Sequence, residues 1–191
     1  MCRQQRKAIE SRQHGRLRWS LLFLCALAGC VTALGADSSD VEAQLKAAFI
    51  YNFARFVEWP VAGPGPVRIG ILGHGDLEAP LSDVVRGKSA NGRLIEVDRI
   101  NARTQAGCCE ILLIERSEMK HLKEIVASLS GKPVLTVCDG GNCLRDGAMI
   151  SFQMADESVR FEINQVAAEH GGLRISSQLL KVAISKGGSG K

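Results

Sequence analysis

Seven cysteines are the residues of this chain best suited to chemistry, because a thiol can serve as an inert apolar group, a metal ligand, a nucleophile or half of a disulfide. Cys138-Asp-Gly-Gly-Asn-Cys143 is a close, isolated pair. Gly140, Gly141 and Asn142 tolerate positive φ, so the chain can reverse there and bring two Cβ atoms together. In an oxidising compartment such a pair reads as a disulfide. A loop this short gains only about 2 kcal/mol through the unfolded state, so the bridge would act mainly by fixing the turn. Cys108 and Cys109 are adjacent and leave several readings open: a small buried residue at the start of a strand, a free or redox-active thiol, or a link between chains. Zinc is disfavoured, since an adjacent pair followed 29 residues later by C-x4-C is poor ligand spacing.

Other chemistry is sparse. Gly70-Ile-Leu-Gly73-His74-Gly75 places glycines where a backbone could approach a phosphate, but the order is G-x-x-G-x-G and not the dinucleotide fingerprint. A tight turn explains the same glycines. Asp98 stands about where a ribose-binding acid would be, by position alone. His74, His121 and His170 have no nucleophile motif nearby, and no metalloprotease, C-x-x-C or paired-carboxylate signature occurs. No catalytic residue, cofactor or metal is expected.

The leader sets the compartment. Residues 1–36 carry six basic residues and one acid, then a mostly apolar run from Leu21 to Leu34, then small residues. This pattern predicts a secretory signal peptide, since the run falls short of the ~20 apolar residues of a membrane span. Two processing routes fit. Leu27-Ala28-Gly29-Cys30 matches the pattern preceding a lipidated cysteine, whereas Ala33-Leu34-Gly35-Ala36 offers ordinary cleavage before Asp37; the intact mass of mature protein distinguishes them. Without the leader, 18 basic residues face 19 acidic ones, a net charge of −1. The apparent basicity belongs to export, and the case for a nucleic-acid partner goes with it.

The remainder, residues 37–191, reads as one compact α/β domain: a mostly parallel sheet flanked by helices, with a C-terminal edge hairpin. Ser39-x-x-Glu42 is a capping-box pattern, and Val41, Leu45, Phe49, Phe53 and Phe56 form a helical apolar stripe ended by Trp59-Pro60. Strands are expected at 67–72, 94–97, 109–114 and 133–138, with helices at 76–85 and 117–129. The segments 148–153 and 159–163 form the hairpin. Short helices follow at 165–170, capped by Asn164, and from Ser176 or Ser177 to Ile184.

Two long segments carry a resemblance: Leu45-Lys-Ala-Ala-Phe-Ile-Tyr-Asn-Phe-Ala-Arg-Phe-Val-Glu-Trp-Pro60, and the run from Val159-Arg-Phe-Glu-Ile-Asn to Ser177-Gln-Leu-Leu-Lys-Val-Ala183. Together they resemble the YfiR-like family of exported bacterial proteins, across nearly all of residues 40–184. The resemblance implies a periplasmic, dimerising regulator. It would bind the periplasmic sensor domain of an inner-membrane diguanylate cyclase and repress it, lowering cyclic di-GMP and biofilm formation. The alternative is a small-ligand sensor acting with a histidine kinase or receptor. The resemblance also implies that Cys138 and Cys143 match a family disulfide and that Cys109 matches half of a second, whose other position is Gly70 here. Phe152, Met154, Val159, Leu173 and Leu180 are the candidate partner-binding residues, with Arg174 as a candidate for a small anion.

Overall fold

The computed structural model describes residues 38–60, 63–140, 142–155 and 158–184. The expected signal peptide and Cys30 lie outside the described residues, as does the tail from residue 185. Among those described, no helix is long and apolar enough to cross a membrane.

The first helix, α1 (Ser38–Phe56), leads through a short strand β1 (Val57–Glu58) to β2 (Val67–Leu72). Then follow α2 (Glu78–Val85), β3 (Ser89–Ala90), β4 (Arg93–Ile100), β5 (Ile111–Ile114), α3 (Leu122–Ser128) and β6 (Leu135–Cys138). The chain closes with β7 (Ile150–Ala155), β8 (Ser158–Ile163), α4 (Gln165–His170), β9 (Arg174–Ile175) and α5 (Ser177–Val182).

Seven strands form one sheet in the order β3-β4-β2-β5-β6-β7-β8. The five from β4 to β7 pair in parallel. Numbered by their occurrence along the chain, they stand 2-1-3-4-5, a doubly wound order whose direction reverses between β2 and β5. Short β3 covers one edge antiparallel to β4, and β8 closes the other as the expected hairpin with β7. The central strands are apolar on both faces because both faces are covered. Ile111 and Leu113 enter the core under α1 and α2, while Leu112 and Ile114 enter the core with α3.

Helix α1 faces the sheet differently from the expected stripe. Its buried face is Ala43, Lys46, Ala47, Ile50, Phe53 and Ala54, whereas Val41 and Leu45 are 53% and 40% exposed. The alanines let the helix backbone approach closely, and Phe49 and Phe56 flank the contact half-buried. Phe49 and Phe53 pack on Phe152 and Phe161, with centroids 5.0 to 6.3 Å apart. Residue 39 is already helical, so Ser39 does not cap, and Glu42 pairs instead with Lys46. The helix expected at 117–129 divides: Arg116–His121 is a 3-10 helix, followed by α3. At the C-terminal end the capping expectations hold, with Asn164 accepting from the Ala167 N–H at 3.0 Å and Ser176 from the Leu179 N–H at 3.3 Å.

Candidate functional site

In a doubly wound sheet, the point where strand order reverses leaves a crevice at the carboxyl ends of the strands. Here that point lies beyond β2 and β5, and α1 runs over it. The residue after each buried strand is therefore thrown to the crevice floor. After β5 this is Glu115, whose N–H donates to the Leu72 carbonyl at 2.9 Å; after β6 it is Asp139, whose N–H donates to the Ile114 carbonyl at 3.1 Å. The backbone ladder continues through both residues, so their side chains are fixed in place.

Glu115 and Asp139 have unlike surroundings. Lys46 of α1 is itself buried, at 5% exposed, and its Nζ lies 2.5 Å from Asp139 Oδ1 and 2.5 Å from Glu42 Oε1. Arg116 Nε stands 3.7 Å from Asp139 Oδ2. Glu115 is only 1% exposed, and its Oε1 has no hydrogen-bond partner. Burial pushes the Glu115 carboxyl above the usual carboxylate range, and the charges of Asp139 and Asp76 add to this. The Arg99 charge and the Leu77 backbone N–H pull the other way.

The glycines of the G-x-x-G-x-G run have three separate local causes. Gly73 has φ of +102°, and a Cβ there would lie 2.5 Å from Ser117 Oγ, which accepts the His74 N–H at 2.8 Å. At Gly75 a Cβ would fall 1.8 Å from Glu115 Oε2, so only glycine leaves room for that carboxyl. A Cβ at Gly70 would meet Ile100 Cδ1 at 2.3 Å and Cys109 Sγ at 3.0 Å. Gly70 and Cys109 are thus neighbours. Asp98 pairs in register with Gly70 inside β4, away from the strand end where a ribose would lie.

The resulting cavity, about 290 Å³, is lined by Glu42, Lys46, Asp76, Glu115, Arg116 and Asp139 among others, with His74 and Gly75 on its wall. A wider groove of about 1060 Å³ adjoins it, with Arg99 and Glu78 on its side. Arg99 Nε donates to Glu78 Oε2 at 2.7 Å and the same guanidinium reaches the Gly73 carbonyl, holding the turn over the crevice.

Below the cleft, the turn after β6 carries the expected disulfide pair. Cys138 and Cys143 are both buried thiols here. Cys143 Sγ donates to the Gly140 carbonyl at 2.7 Å and contacts Met119 Sδ at 3.7 Å. Gly140 has φ of +90°, the reversal its type allows. A hydrogen bond between the two sulfurs raises the Cys138 thiol and lowers that of Cys143. At the opposite end of the strands, Cys108 is exposed and Cys109 is buried, its thiol pushed up to about 12 by burial. No group of three His, Cys, Asp or Glu among the described residues is placed to hold a metal.

The remaining candidate residues do not assemble into one face. Phe152, Val159 and Leu173 are core, at 1%, 4% and 1% exposed. Their apolar side chains point at α1 and the sheet interior, which corrects their assignment to a docking surface. Met154, 51% exposed, and half-buried Leu180 are the two that solvent reaches. Arg174 stands in solvent beside Glu58, Nε to Oε2 3.7 Å, so it lines no enclosed anion pocket. Lys46, Glu115 and Asp139 were not singled out by sequence pattern. The available signal was an acid directly after each of two mostly apolar strands, at Ile114-Glu115 and Cys138-Asp139.

Among solved structures, the chain is similar to one described as the ABC domain in complex with L-Trp from Streptococcus pneumonia: 12% identity, TM-score 0.50, covering 75% of this chain and 59% of that one. A conserved domain protein from Vibrio cholerae O1 biovar El Tor gives 11% identity, TM-score 0.49 and the same coverage. The chain therefore spans about three-fifths of each, and the first likeness concerns the α/β fold alone. At the level of sequence, the model of the YfiR/HmsC-like family matches residues 43–184, from within α1 to just past the last helix, and the chain belongs to that family.

Proposed function

We propose that this protein is a periplasmic regulator that represses an inner-membrane diguanylate cyclase by binding its periplasmic sensor domain. The observation that carries the reading is the family match over residues 43–184, because the family is one of periplasmic regulators of cyclic di-GMP signalling and not of catalysts. The architecture is compatible with it: a rigid sheet with its core filled on both faces leaves loops and edges for a partner. Residues 1–36 carry the export signal, cleaved after Ala36 or just before a lipidated Cys30 that becomes the mature N-terminus, and residues 37–191 form the regulatory domain, which acts as a homodimer. In the oxidising periplasm, Cys138 and Cys143 close into a disulfide that rigidifies the turn beneath Asp139. Met154 and Leu180 are the members of the hairpin and C-terminal set that a partner can touch.

The test is genetic and biochemical together. Deleting the gene raises cellular cyclic di-GMP, and the tagged full chain captures a membrane cyclase through its periplasmic domain. Unchanged cyclic di-GMP together with no captured cyclase overturns the reading.

A further inference from the structure

The cleft at the strand-order reversal is separate from the exposed hairpin residues proposed to meet a cyclase, and the repressor reading does not draw on it. Its residues show a mismatch that a structural role leaves unexplained. Lys46 satisfies Glu42 and Asp139, so an ion-pair network tying α1 to the sheet is complete without Glu115. Yet Glu115 is buried in the same cavity with one carboxyl oxygen unpartnered. A buried acceptor without a partner is destabilising, and more so if charged. Gly75 makes room for this carboxyl, since a Cβ there would fall 1.8 Å from Glu115 Oε2.

Charge defines what would complete the site. The cavity carries four carboxyl groups, Glu42, Asp76, Glu115 and Asp139, against Lys46 and Arg116. Asp76 has no ion pair among the described residues. A bound anion would add to the carboxylate excess, whereas a cation would relieve it. A metal ion is disfavoured because Lys46 Nζ already occupies the point between Glu42 and Asp139. The volume of about 290 Å³ stands at the lower limit of small-molecule sites. The neighbouring groove adds room for an extended ligand.

We propose that this cleft binds a small organic ammonium of the aliphatic diamine class, with one ammonium donating to the unpartnered Glu115 oxygen and the chain of the ligand leading past Asp76 into the groove. Binding a cation there stabilises the junction of α1 with the carboxyl ends of β2, β5 and β6.

The experiment is calorimetric titration of the purified full-length chain with 1,4-diaminobutane, with glucose and acetate as neutral and anionic comparisons. Saturable diamine binding is expected. It should weaken by about tenfold or more in Glu115→Gln, the size of one charge-assisted hydrogen bond. Asp76→Asn, at an exposed position where folding is not at stake, should weaken it as well, and it keeps the test decisive if Glu115→Gln does not fold. No saturable heat with the diamine overturns the proposal. So does tighter binding of glucose or acetate, or diamine binding that neither substitution changes, which is surface attraction to scattered acids. Cyclic di-GMP levels in the deletion strain bear on the repressor reading and leave this outcome untouched.

Discussion

The four thiols among the described residues have four different environments, and reactivity follows environment because the thiolate is the nucleophile. Cys109 is buried beside Gly70 and pushed up to about 12, so it is neutral at any physiological pH. Cys138 is raised by its hydrogen bond to Cys143 and by burial, while the same bond lowers Cys143. Of this pair, Cys143 is therefore the more readily ionised thiol. Cys108 is exposed and lies next to a residue that cannot react. In reduced protein at pH 8, iodoacetamide should modify Cys108 first and leave Cys109 and Cys138 intact until denaturant is added; peptide mass spectrometry reads the order. Equal labelling of Cys108 and Cys109 contradicts this. Mild oxidation should remove two hydrogens from the 138–143 peptide and none from a peptide holding Cys109, because Gly70 has no sulfur to offer. That last point was legible in the sequence alone, and the approach of Gly70 to Cys109 Sγ gives it a spatial basis.

At the scale of elements, what the sequence could tell depended on whether a single physical cause set each boundary. The strand Val67–Leu72 and the helix Gln165–His170 match their expected ranges because each ends on an unambiguous signal, Gly73 at positive φ in one and Asn164 with Gly171 in the other. Helix α1 buries a different face from the one its apolar spacing predicts. Counting large apolar residues favoured Val41, Leu45 and Phe49, but the sheet beneath selects small residues that let the helix come close, plus Ile50 and Phe53 as anchors. Pattern reading weighs size and hydrophobicity; it cannot see the shape of the opposite surface. The cleft was hidden for a related reason. Its residues come from α1, the turn after β2 and the ends of β5 and β6, and only the parallel order of strands brings them together. The helix face is checked by truncation. Phe53→Ala should destabilise by about 3–5 kcal/mol, since it empties an aromatic contact with Phe152 and Phe161. Leu45→Ala should cost under about 1 kcal/mol, as expected for a partly exposed side chain outside the buried face. Urea denaturation midpoints of the two variants give the comparison, and similar losses would return Leu45 to the core.

For the whole molecule, the buried Glu115 couples folding to pH in a direction opposite to that of ordinary paired carboxylates. Its carboxyl is raised in the folded state by burial, then by Asp139, while the unfolded chain titrates near the usual value of about 4.3. Between those two values the folded protein holds a proton that the unfolded chain has released. Stability then falls as pH rises, since it increases with pH only where the unfolded state binds more protons. Below the unfolded value both states are protonated and the contribution is fully present; above the folded value it is lost and the deficit stays constant. A paired acid with a lowered folded value would do the reverse. The comparison of wild type with Glu115→Gln isolates this group, because other titrating residues outside its contacts contribute alike to both. From pH 4 upward, the denaturation midpoint of Glu115→Gln should gain on that of wild type and then run parallel to it. A difference that stays flat, or that moves in favour of wild type as pH rises, would mean that Glu115 is ionised and satisfied in the folded protein. It would then be one more member of the Lys46 network and not the open acceptor of a cleft.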